Sequence, residues 1–170
     1  AVCGISTDIT ARNKIEEDLR LRDRVLTSSS NGVLITDPTR PDNPIVYVNP
    51  AFEKITGYPA DEVVGQNCRF LQGDDRDQPD LEELRSAIKE QRDTRVTLRN
   101  YRKDGSLFWN ELVISPVRDE HGRVTHFVGV QNDITERKQA EEAVRASEEK
   151  LHRITDAIPG VVYQYRRWPD

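Results

Sequence analysis

One stretch of the sequence concentrates groups able to do chemistry: Gly65-Gln66-Asn67-Cys68-Arg69-Phe70-Leu71-Gln72-Gly73. Cys68 supplies a thiol, and its neighbours Asn67, Arg69 and Gln72 surround that thiol with hydrogen-bonding groups. Arg69 carries a planar fork of N–H donors that fits a phosphate bidentately. A second arginine, Arg85, follows one loop and one helical turn later. No histidine adjoins Cys68 to act as its base.

Further along, Asn100, Asn110 and Gln131 fall on strand-like runs, where Asn is disfavoured. A polar ligand explains them there better than a turn or an edge does. Each amide offers both donors and an acceptor. His121, His126 and His152 lie far apart and show no metal-ligand spacing with the cysteines, so no metal site is expected. No phosphate-binding glycine loop or nucleophile–base pair is visible, which sets an enzyme aside.

These residues need elements to hold them. Gly32-Val33-Leu34-Ile35-Thr36 and Ile45-Val46-Tyr47-Val48 read as two strands. Asn49-Pro50 reads as a helix start, with Asn as cap and Pro in the first turn. Short helical pieces follow, and Pro79 to Gln91 forms a longer helix with Leu81, Leu84, Ala87 and Ile88 on one face. Three more strands are expected: Thr94 to Tyr101, Leu107 to Pro116 and Val124 to Gln131. Lys103-Asp104-Gly105 and Asp119-Glu120-His121-Gly122 turn the chain between them. This is an α+β domain in which one sheet buries a face against small helices, leaving a half-enclosed pocket.

The chain also repeats itself. Gly4-Ile5-Ser6-Thr7-Asp8-Ile9-Thr10 is echoed 125 residues later by Gly129-Val130-Gln131-Asn132-Asp133-Ile134-Thr135. Residues 1–8 therefore read as the last strand of a preceding domain, and 9–30 as a linker helix. Residues 31–134 form the complete core, 135–157 a second linker helix, and 158–170 the start of a following domain. Along the second linker, Ala140, Val144, Ser147, Leu151, Ile154 and Ile158 recur in steps of four and three. That is the seam of a short coiled coil. Packing of the linker on its own domain and pairing with a second copy are both open.

Composition narrows the class. The 170 residues are 35% hydrophobic and 32% charged, with a net charge of -5. That size and composition support one compact core with polar helical extensions. The acidic balance speaks against general nucleic-acid or anionic-membrane binding, and no apolar run approaches membrane-spanning length. Two cysteines, Cys3 and Cys68, make no disulfide framework, so a reducing cytoplasm is expected. Cys3 lies outside any motif.

The run from Gly65 to Gly73 resembles the light-oxygen-voltage (LOV) branch of the Per-Arnt-Sim (PAS) superfamily, and the likeness extends over about Gly32 to Thr135. The resemblance implies a PAS fold, with a five-stranded antiparallel sheet and small helices enclosing a flavin. It implies blue-light sensing in which the Cys68 sulfur bonds reversibly to flavin carbon C4a, with Gln131 facing N5 as a switch. Asn67, Arg69, Leu71, Gln72, Arg85, Asn100, Asn110, Leu112, Phe127 and Gly129 would then bind the cofactor, with Leu34, Ile55 and Leu98 adding apolar wall. FMN is favoured, and FAD is not excluded. Leu112 departs from relatives that carry an aromatic residue there. Neighbouring PAS domains, an output domain and a second copy are the expected partners. A flavin redox sensor and a cofactor-free PAS interaction module are the alternatives.

Overall fold

The computed structural model describes residues 29–157. The expected remnant strand 1–8, most of the linker helix 9–30 and the expected following domain 158–170 lie outside the described residues. Five strands form a single antiparallel sheet: β1 Gly32–Thr36, β2 Ile45–Val48, β3 Thr94–Tyr101, β4 Leu107–Arg118 and β5 Val124–Asp133, in the order β2-β1-β5-β4-β3. Between β2 and β3 lie α1 Pro50–Thr56, α2 Ala60–Val63, the 3-10 helix η1 Cys68–Gln72 and α3 Asp80–Glu90. A fourth helix, α4, spans Thr135–Ala157 and from Glu136 onward is a unit of its own. Among the described residues no helix is long and apolar enough to cross a membrane.

Strands β4 and β5 each run two residues past their expected ends. Their antiparallel register continues through Val117↔His126 to Arg118↔Val124 at one end, and reaches Asn110↔Asp133 at the other. Cross-strand pairing thus carries polar residues into the sheet that strand propensity alone would leave out.

Asn49 shows how the first helix is set. Its Oδ1 accepts from Phe52 N at 2.9 Å, capping α1, and from Val33 N at 2.8 Å, fastening the helix start to β1. Gly32 lies beneath this joint, where an added Cβ would come within 3.2 Å of the Phe52 backbone. Two apolar clusters fill the inner side. Leu34, Ile45, Val48, Phe52, Val63 and Leu71 form one. Leu81 and Leu84 of α3 pack with Val96, Leu98, Leu112, Ile114 and Phe127 in the other.

The edge strands are met by other parts of the chain. Gln78, though polar, is buried, and its amide accepts from Arg99 N at 2.7 Å and donates to Arg99 O at 3.0 Å. Asp80 Oδ2 accepts from Thr97 N at 2.8 Å. Two side chains thereby satisfy the middle of β3 as a further strand would. On the other edge, Ile45 N donates to Gln66 O and Gly65 N to Ile45 O, each at 2.8 Å.

Candidate functional site

The stretch around Cys68 becomes η1 because Asn67 caps it, its side-chain oxygen accepting from Arg69 N at 2.9 Å. Gly73, at φ +54, ends it in a backbone conformation that glycine tolerates. Within η1, Leu71 turns into the first apolar cluster and is buried, while half-buried Cys68 and Phe70 pack against that cluster. The same Cys68 lines a cavity of about 620 Å³ together with Asn67, Arg69, Gln72, Arg85 and Asn43. Desolvation raises the Cys68 thiol above its ordinary value, and the charge of Arg69 offsets part of that. Cys68 is therefore a neutral thiol at pH 7.

Leu81 and Leu84 form the floor of this cavity and also belong to the second apolar cluster, with Leu98, Leu112 and Phe127 of the sheet. The remaining expected residues stand on the inner face of that sheet. Asn100, Asn110, Leu112, Phe127 and Gln131 are all buried, and Leu112 faces Gln131 across β4 and β5. Gly129 follows two positions before Gln131, and a Cβ there would meet Leu34 Cγ at 3.1 Å. Its bare backbone lets Leu34 lie across the strand.

Two buried oxygens on this wall lack partners. Asn110 donates from Nδ2 to Asn100 Oδ1 at 2.8 Å, yet its own Oδ1 has no hydrogen-bond partner, and neither does Gln131 Oε1. A buried polar atom left unpaired costs about 1–3 kcal/mol, so such pairs mark places where a ligand completes the bonding. The polar edge of a flavin, which presents N–H and carbonyl or imine groups side by side, matches an Asn–Asn–Gln wall. The residues present therefore fit a flavin.

Arg69 and Arg85, expected to share a phosphate, do line one cavity. Arg69 is also held by Asp42, with Arg69 Nη2 2.7 Å from Asp42 Oδ1 and Arg69 Nη1 2.7 Å from Oδ2. That pairing holds the Asp42 carboxyl below its ordinary range, the hydrogen bond being the largest cause. Asn67 Nδ2 donates to the Asp42 carbonyl, so the loop between β1 and β2 grips η1 on both sides of Cys68. Sequence reading passed over this loop. Its Asn43 carries a third unpartnered buried oxygen, Oδ1, and lines the Cys68 cavity. The available signal was Pro41-Asp42-Asn43-Pro44, a turn whose two middle residues take positive φ, 67 and 48.

From Gln131 the strand continues to Asp133, which accepts from Thr135 N at 2.9 Å. Thr135 Oγ1 in turn accepts from Trp109 N at 2.9 Å. The first residue of α4 is thus tied both to β5 and to β4. Arg99 stacks its guanidinium over Trp109, 6.0 Å from the ring centroid, and Trp109 pairs with Arg99 across the strands. Trp109 alternates with inward-facing Asn110 along β4 and so stands on the opposite face of the sheet.

A family profile described as PAS domain matches residues 30–136. The bacterioopsin transcriptional activator of Halobacterium salinarum is 46% identical over 148 residues, covering 87% of this chain and 22% of that protein. A blue-light photoreceptor of Listeria monocytogenes is 52% identical over 112 residues, 66% of this chain and 44% of its own. Among solved structures, an RNA-binding light-oxygen-voltage receptor superposes with a TM-score of 0.69 at 38% identity, over 88% of this chain and 40% of that one. The chain spans less than half the length of each of these proteins.

Proposed function

This chain belongs to the PAS domain family, in its light-oxygen-voltage branch, and on that premise we propose that it senses blue light through a bound flavin that bonds reversibly to Cys68. One observation carries the reading. A neutral thiol and two arginines line a cavity whose leucine floor packs on a sheet wall holding two unpartnered amide oxygens, at Asn110 and Gln131. Bound flavin supplies the light-absorbing ring and an electrophilic carbon, C4a, beside a nitrogen, N5, that takes up a proton.

The chain's own residues do the rest. Cys68 keeps its proton in the dark, because burial disfavours the thiolate. With flavin bound, Cys68 would supply both the sulfur for the bond to carbon and the proton for the nitrogen, so the addition would balance without an external base. Arg69 and Arg85 hold the phosphate of the mononucleotide, FMN, and Asn100 and Asn110 take the polar ring edge. Gln131, whose buried amide oxygen has no partner, would hold the flavin nitrogen and would rotate its amide to restore a bond once that nitrogen turned from acceptor to donor. That rotation lies two residues from Asp133, where α4 is tied to the sheet. A mismatch of about 1–3 kcal/mol is enough to bias such a junction.

In a longer cytoplasmic sensor, α4 passes the change to neighbouring PAS domains and an output domain such as a histidine kinase or nucleotide cyclase. The echo of the β5–α4 junction at Gly4 to Thr10 supports the tandem arrangement. Pairing of two copies along α4 is supported by its four-three seam, in which Val144 and Leu151 are exposed. The photosensory domain itself turns over no substrate.

The deciding experiment is the absorption spectrum in the dark, after a blue flash, and during recovery. A flavin band that bleaches and returns, with bleaching lost in Cys68→Ala, is expected. Bound flavin that never bleaches would leave a redox sensor, and a colourless protein that cannot be reconstituted would leave an interaction module.

A further inference from the structure

The residues of η1 divide between two cavities. Cys68, Arg69 and Gln72 line the one described above. Phe70 lines a second, of about 470 Å³, together with Tyr58, Tyr101 and Asp74. No residue lines both.

Three separate segments bring the rings of the second cavity together. Gly57, at φ +75, ends α1 and turns the chain into Tyr58. Lys103 N donates to the Thr56 carbonyl at 2.9 Å, which draws the β3–β4 hairpin up to that turn. Gly73 lies beside Tyr101, where an added Cβ would stand 3.6 Å from Tyr101 Cδ2. Tyr58 and Phe70 meet edge to face, with centroids 4.9 Å apart and planes at 76°. All three rings are only half-buried.

The charges on the lining are unevenly matched. Arg102 is engaged by Asp133 at 2.7 Å and Lys103 by Glu62 at 2.6 Å. Asp75 is held by Arg99 at 2.6 Å and accepts from the Tyr101 hydroxyl at 3.4 Å. Asp74 offers its backbone carbonyl to Arg76 N at 2.9 Å, and its carboxylate has no cationic partner among the described residues. The lining charge left over is therefore negative. Aromatic faces carry the negative part of the ring quadrupole, so rings and carboxylate favour the same kind of ligand, a cation. A bare metal ion needs several oxygens in one shell, and among the described residues no group of three His, Cys, Asp or Glu could hold one. An alkylammonium spreads its charge over carbon and suits ring faces better.

We propose that this second cavity binds a small organic cation with a methylated ammonium head, seated against Tyr58, Phe70 and Tyr101 with Asp74 at the rim. A ligand there touches Phe70, two residues beyond Cys68 in η1, and Arg102, which is ion-paired with the last residue of β5. The site is independent of the flavin cavity, since the two share no lining residue.

The test is a proton NMR titration of the 170-residue chain with choline and with its neutral isostere, in which a tert-butyl group replaces the trimethylammonium, at matched ionic strength. Choline should move the ring signals of Tyr58, Phe70 and Tyr101 and bind about tenfold more tightly than the isostere. Tyr101→Leu should weaken choline about fivefold or more, while Tyr101→Phe, which keeps the ring, stays within about twofold of wild type. Asp74→Asn should cost about threefold. Melting curves check the fold of each variant, and Asp74 is exposed, so its substitution still decides the matter should Tyr101→Leu unfold. Equal binding of choline and isostere overturns the inference and leaves an apolar cavity. Ring signals that stay still at saturating choline overturn it as well, as does full affinity in both Tyr101→Leu and Asp74→Asn. None of these outcomes touches the flavin reading, which stands or falls on the flash spectrum.

Discussion

Arg102, just past the end of β3, and Asp133, at the end of β5, are joined by an ion pair of 2.7 Å across 31 positions of sequence. Arg102 also donates to the Ile55 carbonyl at the end of α1 and stacks 4.6 Å from the centroid of the Phe108 ring. One guanidinium therefore links the helical side of the pocket, the β3–β4 hairpin and the last residue of β5, which is itself bonded to the first residue of α4. Burial pushes the Asp133 carboxyl up, but hydrogen bonds from Thr135 and Arg102 outweigh it and hold it below its ordinary value.

Replacing Arg102 by Ala should loosen the start of α4 before anything else. Loss of a partly buried, charge-assisted bond costs about 1.5–3 kcal/mol. Amide hydrogen exchange should accelerate at residues 134–138 while the strands around Gly129 keep their protection. Uniform acceleration through the sheet would mean that Arg102 supports the core generally and not this junction.

Gln131→Leu separates stability from signalling. In the ligand-free protein the change removes an unpartnered buried oxygen, so the melting temperature should rise, by the equivalent of about 1 kcal/mol. In flavin-loaded protein, bleaching should persist while the light-induced change at α4, followed by circular dichroism or exchange, is lost. An undiminished structural response in the variant would remove Gln131 from the pathway.

The Cys68 thiol should react as a high-pKa cysteine. Its ordinary value of 9.0 is raised by burial, so iodoacetamide labelling of ligand-free protein should be slow at pH 7 and still be climbing above pH 9. Arg69→Gln removes the one charge that favours the thiolate and should slow labelling further. A labelling rate that levels off below pH 8 would contradict the neutral-thiol account of the dark state.

Glu83 predicts an acid-sensitive corner. Hydrogen bonds from Arg92 and Thr94 pull its carboxyl from 4.5 to about 2. Because the folded state prefers the ionised form, its contribution is complete above pH 4.5 and fades as pH falls toward 2. The melting temperatures of wild type and Glu83→Gln should differ most at neutral pH and converge by about pH 2. Parallel curves throughout would mean the pair contributes nothing, a frequent outcome for exposed ion pairs.

What could be read from the sequence was local or periodic. The alternation along Thr94 to Tyr101 gave a strand, and Leu81, Leu84 and Ala87 gave the buried face of α3, since each pattern depends only on near neighbours. The run from Asn67 to Gln72 identified its own capped turn. Contacts between distant segments were not legible. Asp42 meeting Arg69, Gln78 lying along β3 and Asn49 fastening β1 to α1 each depend on a chain path that no spacing encodes. Asn43 escaped notice for the same reason, because a turn residue becomes a pocket residue only once its loop folds over η1. The ends of β4 and β5 were misjudged because cross-strand register extends them past the last strongly β-forming residue.

Gln78 and Asp80 have a consequence for chains built of repeated domains. Neighbouring copies held at high local concentration on one polypeptide are prone to exchange strands or grow continuous sheets, and an edge strand with free backbone groups is the usual starting point. Here the centre of β3 is already occupied by two side chains, and the first residue of β2 by the backbone at Gly65 and Gln66. Were a further domain to lie beside this one, contact would be directed to faces and helices, which can part and re-form, and away from a ladder that would lock.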